Sequence, residues 1–320
     1  MFSFFKLIRF PNLLIIALTM YLVRYCLFVE YTMGSTTTGM SIEIIRELGW
    51  IDFTLNGFHF FLLVLSTILI AAGGYIINDY FDTKIDIINK PEKVIVGKTI
   101  KRRTAMMLHI LLNAVAVMIG FYLAYKIGNY KLGLINLLTA GLLWFYSTTY
   151  KSTFLLGNII ISVLSALVPV VVGLFEPKIF QAENFLKSYF GYVLGYAIFA
   201  FVVSLIREII KDMEDMEGDK NAWCRTLPIV LGIKTSKIIV VVITLITMAM
   251  LAYIQRLQYI SNDTISFWYF MTALQIPFAA LVFLVIRAKE KRNYAMASLL
   301  SKGIMLTGIL SMIVFYFSLS

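Results

Sequence analysis

The sequence predicts an all-α polytopic membrane protein with nine transmembrane helices. Three observations predict it. First, 60% of the 320 residues are hydrophobic and only 14% are charged, with a mean hydropathy of +0.85. Soluble domains carry about 45–50% apolar and about 25% charged residues. Second, nine stretches approach the roughly 20 apolar residues that a membrane helix needs. Third, the basic residues gather on alternate connections between those stretches. A chain this apolar excludes a cytosolic globular enzyme, a disordered chain and a secreted disulfide scaffold. Two cysteines, Cys26 and Cys224, and two histidines, His59 and His109, are too few for a disulfide framework, a zinc centre or a haem site.

The expected spans are residues 13–29, 58–77, 104–125, 132–147, 155–175, 189–210, 236–255, 266–287 and 300–319. The first lacks a small-x-small cleavage pattern after it and reads as a helix rather than a signal peptide. Connection 30–57 is long and holds an amphipathic stretch, 42–50, suited to lie along the interface or to cap the bundle. Connections 79–103 and 211–235 are long and rich in both charge signs, as functional loops often are. With the N-terminus inside, 21 of the 28 basic residues fall on inner segments and 6 on outer ones; Arg24 lies in the first span. The positive-inside bias makes the N-terminus cytoplasmic, the membrane the cytoplasmic (inner) one, and the charged loops an active face toward the cytoplasm. The net charge of +10 is therefore a topology signal. Scattered over short membrane loops, it implies the lipid bilayer as partner and no nucleic acid. No obligate protein partner is evident.

Each long inner loop opens on the same pattern, Asp-x2-Asp-x3-Asp. Asp79, Asp82 and Asp86 recur 133 positions later as Asp212, Asp215 and Asp219. Asn78 precedes the first set. The second and sixth spans thus read as equivalents in a parallel internal repeat, with helices 1–4 matching 5–8 and the ninth added. One membrane-embedded domain follows, with halves 1–152 and 153–287 and a final segment 288–320. On a helix, positions i, i+3 and i+7 fall within roughly 60° of one another. Three carboxylates on one stripe repel unless cations neutralise them. Hard oxygen donors without sulfur or imidazole suit Mg²⁺, which is usually held by one or two carboxylates plus substrate phosphates. Two facing stripes would hold a metal–diphosphate cluster. Asp79, Asp82, Asp212 and Asp215 are the expected catalytic carboxylates. Asn78, Asp86 and Asp219 complete the metal set.

Basic residues near the motifs supply phosphate partners. Lys93 and Lys98 follow the first motif. Lys101, Arg102 and Arg103 precede a span and read as positive-inside anchors. Lys151 suits either an interfacial anchor or a diphosphate ligand. Arg207 and Lys211 flank the second motif, placed either to pair with its carboxylates or to hold a leaving group. Tyr80, Tyr146 and Tyr150 offer ring faces to a cation.

The motifs resemble those of the UbiA superfamily of intramembrane prenyltransferases. The matching residues are Asn78-Asp79-x-x-Asp82-x-x-x-Asp86 and Asp212-x-x-Asp215-x-x-x-Asp219. Supporting matches are Asn89-Lys90-Pro91-Glu92-Lys93, Arg225-Thr-Leu-Pro228 and Arg9-x-Pro11-Asn12. The resemblance covers essentially the whole chain. It departs at Lys93-Val94, where the family often has Arg-Pro, and at Tyr146-x4-Lys151, where the family has Tyr-x3-Lys. The stretch from Arg207 to Asp219 looks most like the branch that prenylates geranylgeranylglyceryl phosphate in ether-lipid synthesis.

The resemblance implies nine helices around a central cavity open to lipid. It implies Mg²⁺ held by both motifs, a polyprenyl diphosphate donor, and transfer of its prenyl group to a lipophilic acceptor with release of diphosphate. Asn12 and Asn158 join the three tyrosines as expected pocket residues. An aromatic acceptor, as in quinone synthesis, is the alternative within the family. A transporter is the alternative of another class, but its acidic residues would sit near the membrane midplane. A CDP-alcohol phosphatidyltransferase would need an Asp-Gly-x2-Ala-Arg run that the chain lacks. An inactive scaffold gives no reason for a duplicated triad.

Overall fold

In a computed structural model, residues 2–27, 53–92, 94–177 and 189–319 are described. Among them the chain is helical; the sole strand-like feature is a bridge between Val96 and Ile100. The amphipathic stretch 42–50 and Lys93 lie outside the described residues.

Twelve α-helices follow in order: α1 Phe2–Leu7, α2 Phe10–Leu22, α3 Gly57–Asn89, α4 Arg102–Ile127, α5 Gly133–Thr148, α6 Leu156–Leu174, α7 Tyr189–Glu214, α8 Met216–Asn221, α9 Leu227–Ile260, α10 Thr264–Phe270, α11 Ile276–Arg287 and α12 Lys291–Leu319. Among the described residues eight helical segments are long and apolar enough to cross a membrane, not nine. Span 132–147 forms α5, which has only 16 residues and is preceded by a 3₁₀ turn, Tyr130–Leu132. The other eight expectations each find a helix, though several run further than their apolar stretch. α3 continues twelve residues past 77, to Asn89, and so carries the whole first motif. α12 begins nine residues before 300. Charged residues extend a membrane helix beyond the hydrocarbon, where hydropathy alone stops counting.

The second motif does not form one helical stripe. α7 ends at Glu214, Asp215 sits at φ −96°, ψ 7°, and Asp219 belongs to α8. Gly218, a weak helix former, lies just beyond this break.

α3 packs against α2, α4 and α5, and α7 against α6, α9 and α12. Away from the motifs, Leu55, Phe60, Leu63, Leu123, Val172 and Phe175 form a core. There Glu176 accepts from the backbone N–H of Thr54 (2.8 Å) and faces the buried Arg24 at 3.6 Å. A second core, with Val203, Ile206, Leu274, Phe278 and Leu281, joins α7, α9, α11 and α12. α9 kinks at Gly232, whose φ of 83° and ψ of 158° few other residues adopt.

Candidate active site

The two motifs meet in one polar vestibule of about 270 Å³ at one end of the bundle. α3 contributes Asp82 and Asp86. The α7–α8 junction contributes Asp212, Asp215 and Asp219. Tyr146 at the end of α5, Lys151 in the 3₁₀ turn Tyr150–Ser152 and Asn158 in the first turn of α6 complete its walls. Gly157 permits this turn to sit close to α6: a Cβ there would lie 2.9 Å from the Tyr150 carbonyl oxygen. Lys151 is thereby aimed at α3.

The carboxylates are held by specific donors. Lys151 Nζ contacts Asp82 Oδ2, and Asn78 Nδ2 donates to the same oxygen at 2.7 Å. Asn158 Nδ2 donates to Asp212 Oδ2 at 2.8 Å. Lys90 Nζ lies 2.8 Å from Asp215 Oδ1 and 3.0 Å from Glu214 Oε1. Arg9, at the break between α1 and α2 with a left-handed φ of 50°, pairs with Asp79 at 2.9 Å. Burial pulls the Lys151 ammonium toward neutrality, but Asp82, Tyr146 and Asp86 outweigh it and raise its pKa. Burial likewise opposes the Lys90 charge, and Asp215 and Glu214 again raise its pKa. Both lysines are therefore cations. Burial pushes the Asp219 carboxyl up to about 6; Lys151 opposes this, and Asp215 and Asp82 add to it.

A second, apolar chamber, also about 270 Å³, runs along α2, α3, α5, α6, α7 and α12. Its motif-side end carries Arg9, Asn12, Tyr75, Asn78, Arg207 and Lys302. Tyr146, Glu208 and Lys211 line both chambers and form their shared boundary.

Not every expected residue converges. Lys98 lines neither chamber. Its loop closes on itself, with the Ile95 carbonyl accepting from Lys98, Thr99 and Ile100, and Lys98 Nζ donates to the Pro91 carbonyl at 2.9 Å. The Tyr80 ring lies under the Arg102 guanidinium, 4.3 Å away, and neither Tyr80 nor Tyr150 lines a chamber. Asp79 is turned to Arg9 and lines neither chamber. Asn12, Asn78 and Arg207 line the apolar chamber, not the vestibule.

Three residues went unread in the sequence. Lys90 resembled one more loop cation. Glu208 resembled a solvated helix face, yet it is buried. Lys302 resembled a positive-inside anchor. For Glu208 and Lys302 the available signal is cost: a charge inside an apolar helix is expensive and is rarely left without a role.

The site's oxygen chemistry fits a hard cation. Among the described residues no three acidic groups converge on one point. Mg²⁺, however, commonly takes only one or two carboxylates and completes its shell with phosphate and water. Asn78 Oδ1 is buried without a hydrogen-bond partner, beside Asp82, and offers one more hard donor.

A family model described as the UbiA prenyltransferase family matches residues 33–310. The digeranylgeranylglyceryl phosphate synthase of Methanosphaera stadtmanae is 34% identical over 181 residues, covering 56% of this chain and 61% of that protein. The synthase of the same name from Methanothermobacter thermautotrophicus is 36% identical over 184 residues, covering 57% and 60%. These matches thus span about three fifths of those relatives' lengths. A solved structure concerning digeranylgeranylglyceryl phosphate synthase aligns with a TM-score of 0.59 at 24% identity, over 98% of this chain and 97% of that one. A UbiA homolog from Archaeoglobus fulgidus bound to GPP and Mg²⁺ aligns at 0.53 and 17%, over 98% and 99%. At these identities the structures establish a common fold.

Proposed function

The chain belongs to the UbiA prenyltransferase family, and from that premise we propose that it transfers a prenyl group from a polyprenyl diphosphate to a lipophilic acceptor, releasing diphosphate. The observation that carries this is the pair of chambers, one acidic and one apolar, sharing the boundary of Tyr146, Glu208 and Lys211. An isoprenoid tail suits the apolar chamber and its diphosphate suits the vestibule. Geranylgeranylglyceryl phosphate is the proposed acceptor, because the relatives named above are digeranylgeranylglyceryl phosphate synthases.

Asp82, Asp86, Asp212, Asp215 and Asp219, with Asn78, would hold Mg²⁺. Bound there, it would neutralise charge on the departing diphosphate, the kind of electrostatic effect that is usually the largest single contribution to catalysis. Lys151 and Lys211 add positive charge at the vestibule. Asn158 fixes the orientation of Asp212. The allylic C–O bond breaks toward the vestibule, and the apolar walls keep water from the cation. The Tyr146 ring stands where the cation forms. The acceptor hydroxyl oxygen makes the new C–O bond, and its proton passes to Glu208, which lines both chambers.

The motif end faces the cytoplasm in this proposal, with the N-terminus on the same side, α5 counted as a ninth crossing and the two halves as repeats. The acids cluster at one end of the bundle rather than midway along it, which disfavours an ion-coupled carrier.

Purified protein incubated with Mg²⁺, geranylgeranyl diphosphate and an acceptor panel tests this by mass spectrometry of the lipid extract. Geranylgeranylglyceryl phosphate should be prenylated. Product on 4-hydroxybenzoate, a dihydroxynaphthoate or homogentisate alone would move the assignment to an aromatic acceptor. Absence of any product would defeat it.

A further inference from the structure

We propose that Lys302, Arg207 and Arg9 form a binding site for a phosphate monoester on the acceptor, separate from the vestibule that takes the donor diphosphate. This rests on the function proposed above and names the chemistry of its second substrate.

The two chambers carry opposite charge. The charged residues of the apolar chamber are Arg9, Arg207, Lys211, Lys302 and a single acid, Glu208. Those of the vestibule are six acids against Lys151 and Lys211. An apolar chamber with a basic head fits an amphiphile whose head is anionic.

Lys302 is the residue that demands explanation. It lies on α12, partly buried, with its head in the apolar chamber. It makes no ion pair among the described residues. Its hydrogen bond goes to a neutral group, Asn12 Oδ1, at 2.6 Å. An ammonium facing an apolar chamber is costly unless an anion meets it. Asn12 Nδ2 in turn donates to the Tyr75 hydroxyl at 3.3 Å, and the Arg9 guanidinium lies over the Tyr75 ring, 4.9 Å from its centre. Lys302 and Arg9 thus stand on two sides of one small neutral network. Arg207 completes the set from α7; its carboxylate partner is its chain neighbour Glu208, at 2.7 Å, on the boundary itself.

Three cations from three separate elements line this end of the chamber. Arg9 is paired with Asp79 at 2.9 Å and Arg207 with Glu208, which leaves Lys302 as the cation without a carboxylate among the described residues and the others as its neighbours around a compact anion. A phosphate monoester carries about −1.5 to −2 charges near pH 7 and three acceptor oxygens, which matches that set better than a planar carboxylate does. Arginine and lysine are the usual phosphate partners. The boundary of Glu208 and Lys211 then keeps the acceptor's phosphate apart from the donor's diphosphate. Two anionic lipids can be held together with the acceptor hydroxyl next to the donor's allylic carbon and their heads in different sites.

The test compares wild type with Lys302→Met and Lys302→Arg on geranylgeranylglyceryl phosphate and on geranylgeranylglycerol, its phosphate-free counterpart. Lys302→Met should raise KM for the phosphorylated acceptor about tenfold or more, the loss expected for a charge-assisted hydrogen bond. It should leave KM for the donor within twofold and erase the preference for the phosphorylated acceptor. Lys302→Arg should restore most of that preference. Lys234→Met, an exposed cation outside both chambers, controls for net charge and should change nothing. A parallel arm measures thermal shift by each acceptor without donor, so the site is tested even where no transfer occurs. Loss of transfer to every acceptor by wild type would defeat the proposed function. A phosphate preference or phosphate-dependent thermal shift that survives Lys302→Met would defeat the site. A Lys302→Met defect that falls equally on 4-hydroxybenzoate would assign it to carboxylates and overturn the phosphate assignment.

Discussion

Asn89 is the side chain that joins the two motif helices, and replacing it with alanine tests how they are held. It is buried at the last position of α3. Its Oδ1 accepts from the Gly218 N–H at 3.0 Å, and its Nδ2 donates to the Asp215 carbonyl at 2.9 Å. Gly218 is the third residue of α8, and its N–H is one of those a helix start leaves unpaired. Ordinarily the residue before the helix caps such a group, but the Asp215 side chain makes no capping bond. Asn89 caps α8 from another helix, so the Asp215 carboxylate lines the vestibule and pairs with Lys90 rather than with its own helix start. Asn89→Ala removes a cap, at about 0.5–2 kcal/mol, and a second hydrogen bond, at about 0.5–1.5 kcal/mol. The expected loss is about 2 kcal/mol. The freed N–H should then recruit Asp215 itself, so turnover should fall as well. Gly218→Ala attacks the same contact from the opposite side, since a Cβ there would collide with the Asn89 side-chain amide. With the Asn89 side chain gone that Cβ has room, so the double variant should cost clearly less than the two singles together. Thermal unfolding in detergent and prenyl-transfer rates on all four proteins measure this. Strict additivity, or an Asn89→Ala protein with unchanged melting and turnover, would refute it.

Asp82→Asn, Asp212→Asn and Asp215→Asn should each lower Mg²⁺-dependent turnover by roughly 10²–10³ with helix content retained by circular dichroism; normal turnover would sink the metal assignment. Glu208→Gln should lower turnover by about 10²-fold or more without weakening donor binding, and an undiminished rate would remove it as the proton acceptor. Asp219 holds its proton to about pH 6 in the folded chain, above the unfolded value of 3.8. That proton stabilises the fold at acid pH, and the benefit is lost as pH rises through this window. Metal binding needs the carboxylate, so the melting increment given by Mg²⁺ should shrink below about pH 6; an increment constant from pH 5 to 8 would contradict this. Glu176→Gln should destabilise by about 3–5 kcal/mol by stranding the buried Arg24, whereas replacing both by apolar residues should recover much of that; equal melting of single and double variants would falsify the pairing.

Much of this site is legible in the sequence because like charges at helical spacing, repeated at a fixed offset in an apolar chain, have few causes. The acidic residues announce themselves by type and position. Their cations do not. Arg9 sits at a helix end and Lys302 at the start of the apolar span 300–319, where a basic residue usually serves topology, and only the three-dimensional meeting of α2, α7 and α12 distinguishes them. Lys98 was equally plausible on paper, but a closed turn at 95–100 directs it to its own backbone. The break at Asp215 was hidden as well. It is held by a cap from Asn89, 129 residues before Gly218, and local spacing carries no trace of such a partner.

The shortness of α5 bears on how product escapes. Sixteen residues rise about 24 Å, less than the roughly 30 Å hydrocarbon thickness of a bilayer. With α5 as the proposed ninth crossing, lipids beside it would thin or sink their headgroups to meet it. The C-terminal end of α5, at Tyr146 and Ser147, is also a wall of the vestibule. Such a local dip would bring water and headgroups down to the carboxylates, so that a multiply charged diphosphate leaves into an aqueous notch. The grown lipid, with nothing to gain there, retreats sideways into the acyl chains. One undersized helix would sort a polar from an apolar product without a moving part.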